Sequence, residues 1–170
     1  MKLIVILVLL LWKETQPFFM ARQAKFGRLC TRVFFNKVRD CDNYGCGGYG
    51  AGRRSNGNQR THEGIDIKCK DGATVRAPFK LTLEGVSVPY RWPAPSPKDQ
   101  INDGVKIIGA EPKFQDLCVK LFYVKPDQYS GTLEQGARIG VMLNMQDVYP
   151  GITSHIHVQM CDKSDPTKYF

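Results

Sequence analysis

The sequence predicts a mostly β, antiparallel fold behind a long irregular N-terminal region, and three observations carry that prediction. From residue 61 onward, short runs rich in Val, Ile, Leu, Phe and Tyr recur, each bounded by turn residues. No window holds a helical stripe for more than two turns. Residues 20–60 or so are loop-like: YGCGGYGAGRRSNGNQR carries six glycines and forms no regular element cheaply.

The chain begins MKLIVILVLLLWKETQPFFMA, where Lys2 precedes an apolar run from Leu3 to Trp12. A bilayer takes roughly 20 residues to cross, so this run does not span one. Behind a positive charge it has the pattern of a secretory signal peptide; a buried strand or an interfacial anchor is the competing reading. Residues 1–24 are therefore expected to be a leader, with Ala21, Ala24 and Gly27 as candidate cleavage positions, and 25–170 a single domain. The expected location is extracellular.

The strand candidates follow in order as GIDIKC, TVRAPF, KLTLEGVSV, GVKIIG, LCVKLFYVK, RIGVML and HIHVQM. Between them KDGA, INDG, PDQYSG, LEQGA and YPG read as turns or loops. RWPAPSPKD reads as a surface loop, because Pro93, Pro95 and Pro97 deny a strand its ladder donors.

Composition excludes disorder: 42% hydrophobic and 24% charged residues are enough for a packed core. The net charge of +8 favours anionic glycans, acidic cell surfaces or bacterial envelopes as partners. The cations are scattered, and no block is dense enough to predict nucleic acid. Six cysteines in an apparently secreted chain suggest three disulfides, with 15 connectivities open by count alone. CDNYGC is the most legible pair, since Tyr44-Gly45 favours a turn that brings Cys41 and Cys46 together. No CxxC is present, so thiolate metal binding is the weaker reading.

The chain has three histidines, and all fall in two short motifs. In SHIHVQMC a strand puts Ile156, Val158 and Met160 on one face and His155, His157 and Gln159 on the other. The two imidazoles then sit about 7 Å apart on one side. The third lies in THEGIDIKC. A straight strand would hold His62 and Asp66 about 13 Å apart, too far for one ion. A bend at Glu63-Gly64, which glycine makes cheap, would bring His62 on a loop to Asp66 at the strand's start. With one histidine of the HxH pair they form a two-nitrogen, one-oxygen set suited to tetrahedral zinc, leaving a fourth position for water or ligand. Ordinary core or surface histidines are the competing reading.

H-x-G-x-D followed by a distant S-H-x-H resembles the lysostaphin-type zinc metallopeptidases, which cut peptide bridges of bacterial cell walls. CDNYGCGGYGAGR, HEGIDIKC, VRAPF, NDGVKI, CVKLFYVKP, VYPGITSHIHV and CDKSDPTKY are closer still to an animal branch, the leukocyte cell-derived chemotaxin 2 and myeloid protein 1 family. The resemblance covers about residues 30–170, apart from PAPSPKD and EPKFQD. It implies a small antiparallel β fold with a groove, and one zinc held by His62, Asp66 and His157, with His155 facing the groove as an unligated, vestigial catalytic candidate. It also implies the disulfides Cys30 with Cys69, Cys41 with Cys46, and Cys118 with Cys161. The bacterial enzymes use a second unligated histidine in a Y-x-H motif; here Tyr123-Val124-Lys125 stands there, with lysine in the histidine's place. A lysine of ordinary pKa about 10.4 is a poor general base, although Tyr123 or Lys125 could donate to an oxyanion. The resemblance therefore implies a secreted, zinc-binding, non-catalytic signalling protein that acts through cell-surface receptors. The alternatives are a residual zinc metalloendopeptidase or peptidoglycan-binding defence protein, and a basic glycan-binding domain with no metal.

Overall fold

The structure is a computed structural model and describes residues 23–55 and 58–170. Most of the expected leader, residues 1–22, therefore lies outside the described residues. The described chain is mostly β. In order come β1 (Gly52–Ser55), β2 (Asn58–Thr61), β3 (Ile65–Lys68), β4 (Thr74–Arg76), β5 (Leu81–Val86) and β6 (Gly104–Gly109). They are followed by β7 (Cys118–Phe122), β8 (Val124–Pro126), β9 (Ser130–Leu133), β10 (Arg138–Met142) and β11 (His155–Met160). The helical pieces between them are single 3-10 turns, and none of the described helices is long and apolar enough to cross a membrane.

Six strands form one sheet in the order β3-β11-β7-β6-β5-β9, three form a second in the order β4-β10-β8, and β1 and β2 make a hairpin. Every pairing is antiparallel. The period-two pattern explains where the core sits. Ile156, Val158 and Met160 of β11 are buried, as are Ile65 and Ile67 of β3 and Val119 and Leu121 of β7. Each of the seven runs predicted from apolar content contains a strand.

The sequence reading is corrected at three places. The stretch up to about residue 60 reads as loop, yet Gly52–Ser55 and Asn58–Thr61 pair as the strands of a hairpin. Their side chains are charged or polar, so no apolar alternation marked them; the Asn56-Gly57 dipeptide, a strong hairpin signal, did. The second miss is β9, part of the segment taken for a turn, which is an edge strand and mostly exposed. Finally, LCVKLFYVK is two strands rather than one. Tyr123 takes φ 66°, which breaks the alternation and passes the chain from the six-stranded sheet into the three-stranded one.

All six cysteines are paired, Cys30 with Cys69, Cys41 with Cys46 and Cys118 with Cys161. Cys161 lies one residue beyond β11, and its N–H donates to the Cys118 carbonyl (3.1 Å), so that bond clips the neighbours β7 and β11. Closed loops of such lengths stabilise by about 2–4 kcal/mol each. The irregular N-terminal arm lies along β3, the outermost strand of its sheet. Arg39 N–H donates to Asp66 O, Asp66 N–H to Gly47 O and Lys68 N–H to Lys37 O, each at 2.8 Å. Without that cover β3 would present a bare, pairing-competent edge.

Candidate metal centre

Register brings the site together. β3 and β11 pair antiparallel with Asp66 opposite His157, so both side chains leave the sheet on one face, at the closest spacing two strands allow. His62 arrives from the loop after β2. Its N–H donates to Ala51 O and its carbonyl accepts from Gly50 N–H, both at 2.9 Å, which fixes the loop against the glycine-rich arm. Gly64 lies in the bend as expected, but not in the left-handed region. What its position demands is space: a Cβ there would sit 2.5 Å from the Val158 carbonyl oxygen and 2.6 Å from His157 Nε2.

His62 Nε2, His157 Nδ1 and Asp66 Oδ1 form a nearly equilateral triangle. The nitrogens are 3.0 Å apart, and each is 3.1 Å from the oxygen. A tetrahedral zinc with bonds of about 2.0–2.1 Å sets its donors about 3.3 Å apart, close to these separations. His62, Asp66 and His157 are the one such cluster found among the described residues. His155 Nε2 lies just outside it, 3.6 Å from Asp66 Oδ1.

The hydrogen bonds around the triangle fix where the protons are. A carbonyl oxygen only accepts. His62 Nδ1–H therefore donates to Gly48 O (2.7 Å) and His155 Nδ1–H to Thr153 O (2.7 Å), while His157 Nε2–H donates to Gln159 Oε1 (3.2 Å). In the neutral rings, the nitrogen facing Asp66 carries a lone pair in every case. Three acceptors thus converge with no hydrogen among them, an arrangement that repels itself unless a cation lies between. The residues fit a divalent metal on this ground alone.

Asp66 is held from behind. Its Oδ2 accepts from Arg39 Nη2 (3.0 Å) and Nε (3.3 Å) and from Arg53 Nη2 (3.0 Å), which leaves Oδ1 for the triangle. Arg39 is itself buried and also reaches Gly45 O (2.9 Å) and Asp42 (2.7 Å). Burial pushes the Asp66 carboxyl up, but in the metal-free chain hydrogen bonds from His157 and His62 outweigh it and hold the group well below its usual range. Those bonds place a proton in the triangle where the metal would lie. Phe122 stacks on His157 at 5.4 Å, and Tyr123 meets His155 edge-on at 5.7 Å, so both imidazoles of the HxH pair are locked by rings.

Burial lowers His155 below the ordinary 6.5, with Asp66 opposing the shift, so it is a neutral imidazole near pH 7. A depressed folded-state value means that the unfolded chain binds the proton first. Stability from this group is complete above about 6.5 and erodes as pH falls toward the depressed value. Asp66 does not contribute in that window, because its stabilisation is lost only below its ordinary 3.8. In chelator, the melting temperature should therefore fall on acidification from neutrality, and His155→Gln should flatten that slope.

The triangle opens into a cleft of about 490 Å³. Tyr44, Tyr90, Tyr123 and Tyr149 line it with the histidines, and Arg53, Arg60 and Lys98 are among its cations. Tyr90 OH lies 3.1 Å from Tyr149 OH and 3.4 Å from Tyr123 OH, and burial pushes Tyr123 and Tyr149 up to about 12, so they stay protonated donors. Lys125 is exposed on β8 and is not among the lining residues, so of the two oxyanion donors expected only Tyr123 faces the cleft. The sequence reading missed Arg39, Arg53 and Tyr90. Tyr90 directly precedes the proline-rich loop, whose Trp92 is 79% exposed.

No protein-family model matches the chain. It is 43% identical over 144 residues to leukocyte cell-derived chemotaxin-2 of Mus musculus, covering 85% of this chain and 86% of that protein. It is 44% identical over 141 residues to leukocyte cell-derived chemotaxin-2 of Bos taurus, covering 83% and 84%. Against myeloid protein 1 of Gallus gallus the identity is 44% over 154 residues; this covers 91% of the chain but only 44% of that longer protein. Among solved structures, a zinc-containing peptidase from Vibrio cholerae aligns with a TM-score of 0.47 and 14% identity, covering 81% of this chain and 37% of that one.

Proposed function

Because the chain belongs to the leukocyte cell-derived chemotaxin-2 family, we propose that it is a secreted, zinc-binding signalling protein of the chemotactic kind rather than a working peptidase. The observation that carries the metal is the convergence of three proton-free acceptors, His62 Nε2, Asp66 Oδ1 and His157 Nδ1, within 3.1 Å of one another. Two imidazoles and one carboxylate suit zinc. Bound there, zinc would supply a Lewis acid at the floor of the cleft.

Peptide hydrolysis needs groups that take and return protons beside that ion. Two of the three histidines are committed as ligands, and His155 is the remaining imidazole. The residue in the place of a second one, Lys125, is exposed and does not line the cleft. Losing one proton-handling group lowers a rate by roughly 10²- to 10⁴-fold. Three disulfides support an oxidising, extracellular setting, and the basic charge supports a cell-surface receptor or anionic glycan as partner. One observation favours the second reading, a residual metallopeptidase or cell-wall-binding protein: neutral His155 lines the cleft beside the three ligand residues.

Purified protein equilibrated with excess zinc should hold one zinc per chain, and His62→Ala should lose it. The loaded protein should leave glycine-rich peptide and bacterial cell wall intact while drawing leukocytes along a gradient. Substoichiometric metal would remove the zinc site, and absence of migration would remove the signalling role. Cleavage that chelator and His155→Ala both abolish would establish the peptidase instead.

A further inference from the structure

Two large apolar residues adjacent in the chain are both exposed: Phe34 97% and Phe35 68%. They crown a short loop that is held firmly from both sides. Cys30 is bonded to Cys69, and Thr31 N–H donates to Thr74 O at 3.0 Å. Asn36 accepts from Leu29 N–H (2.9 Å) and donates to Gly27 O (3.0 Å), drawing the two limbs of the loop together. Val33 packs inward against the core, and Lys37 O accepts from Lys68 N–H on β3. The phenyl rings are therefore presented by a clamped tip, not by a fraying end.

The stretch that carries them is basic, although Lys37 lies 3.6 Å from Asp40 just beyond it. Between Phe26 and Arg39 the chain reads FGRLCTRVFFNKVR, with four cations and no carboxylate. Arg28 reaches back to Val33 O (3.2 Å), which places its guanidinium beside the tip, and Arg32 precedes the pair by two residues. Two rings are too small a patch for a stable protein interface, which buries roughly 800 Å² per partner. They do suit a bilayer, whose lipids close around a protruding wedge while neighbouring cations meet anionic headgroups.

We propose that the Phe34–Phe35 tip is a docking wedge for an anionic lipid surface, with Arg28 and Arg32 pairing with the headgroups around it. This site is separate from the zinc cleft and does not depend on it. The test is sedimentation of the purified, disulfide-bonded protein with vesicles of phosphatidylcholine alone and of equimolar phosphatidylcholine and phosphatidylserine. Association is expected with the mixed vesicles, weakened by salt. The pair Phe34→Ser with Phe35→Ser should reduce it at least about tenfold, and Arg32→Glu should reduce it while leaving the phenyl rings in place. Unchanged zinc content and melting temperature would verify that each variant is folded. No association with the mixed vesicles, or association that both variants retain, would overturn the proposal. So would a wild-type dimer that the double variant converts to monomer, because a second copy would then be the occupant.

Discussion

Exchanging Asp66 for asparagine is expected to abolish zinc binding and to destabilise the protein by about 3–5 kcal/mol even in chelator. The metal loss follows from replacing a charged ligand between two imidazoles. The larger effect comes from the opposite oxygen. Asp66 Oδ2 is the charged partner of two guanidiniums, and Arg39 is only 3% exposed. A neutral amide would leave that buried cation with Asp42 as its remaining ion-pair partner. Arg39→Met in the same chain should recover part of the loss, because residues in one charge network do not add independently. Thermal unfolding of the two single variants and the double variant, read beside zinc content, checks this. A wild-type melting temperature for Asp66→Asn would show that the carboxylate is not what holds the arm to β3.

Alanine at Gly64 is the second large effect. The added methyl would enter space already held by the Val158 carbonyl and the His157 ring. A side chain could swing aside, but β11 lies between β3 and β7 and has little freedom to move. The expected cost is about 3 kcal/mol, at the upper end for overpacking, with weaker zinc binding because His157 is displaced. His157→Ala in the Gly64→Ala chain should relieve the ring contact and leave the carbonyl contact, so the two changes should together cost less than their sum. Zinc titration and unfolding of the same four proteins measure it. Wild-type affinity in Gly64→Ala would mean the strands separate freely, contrary to the packing described.

Much of this was legible in the sequence for a physical reason: period-two alternation and a scarce metal-ligating residue type are both local signals. Strands β3, β4, β5, β6, β7, β10 and β11 announced themselves because each buries apolar side chains. The histidines stood out because there are only three, in two short motifs. The β1–β2 hairpin and β9 are built mostly from polar residues and glycine, so hydrophobicity was silent about them. Arg39 and Arg53 were two cations among 24, and nothing near them in the chain marks them as partners of a carboxylate many residues later. Tyr90 was hidden likewise, since only folding places its hydroxyl between those of Tyr123 and Tyr149. The break at Tyr123 is a backbone event inside a run rich in strand-favouring side chains.

The smallest ring in the molecule, closed between Cys41 and Cys46, contributes no ligand yet stands behind the whole centre. Gly45 inside it supplies a carbonyl to Arg39, and Gly48, two residues past it, accepts the hydrogen that settles which nitrogen of His62 faces the cleft. The ion's affinity is thereby tied to the thiol–disulfide balance of the surroundings. If the proposed zinc site is filled, opening this ring with a reductant should weaken zinc binding even though neither sulfur touches the ion.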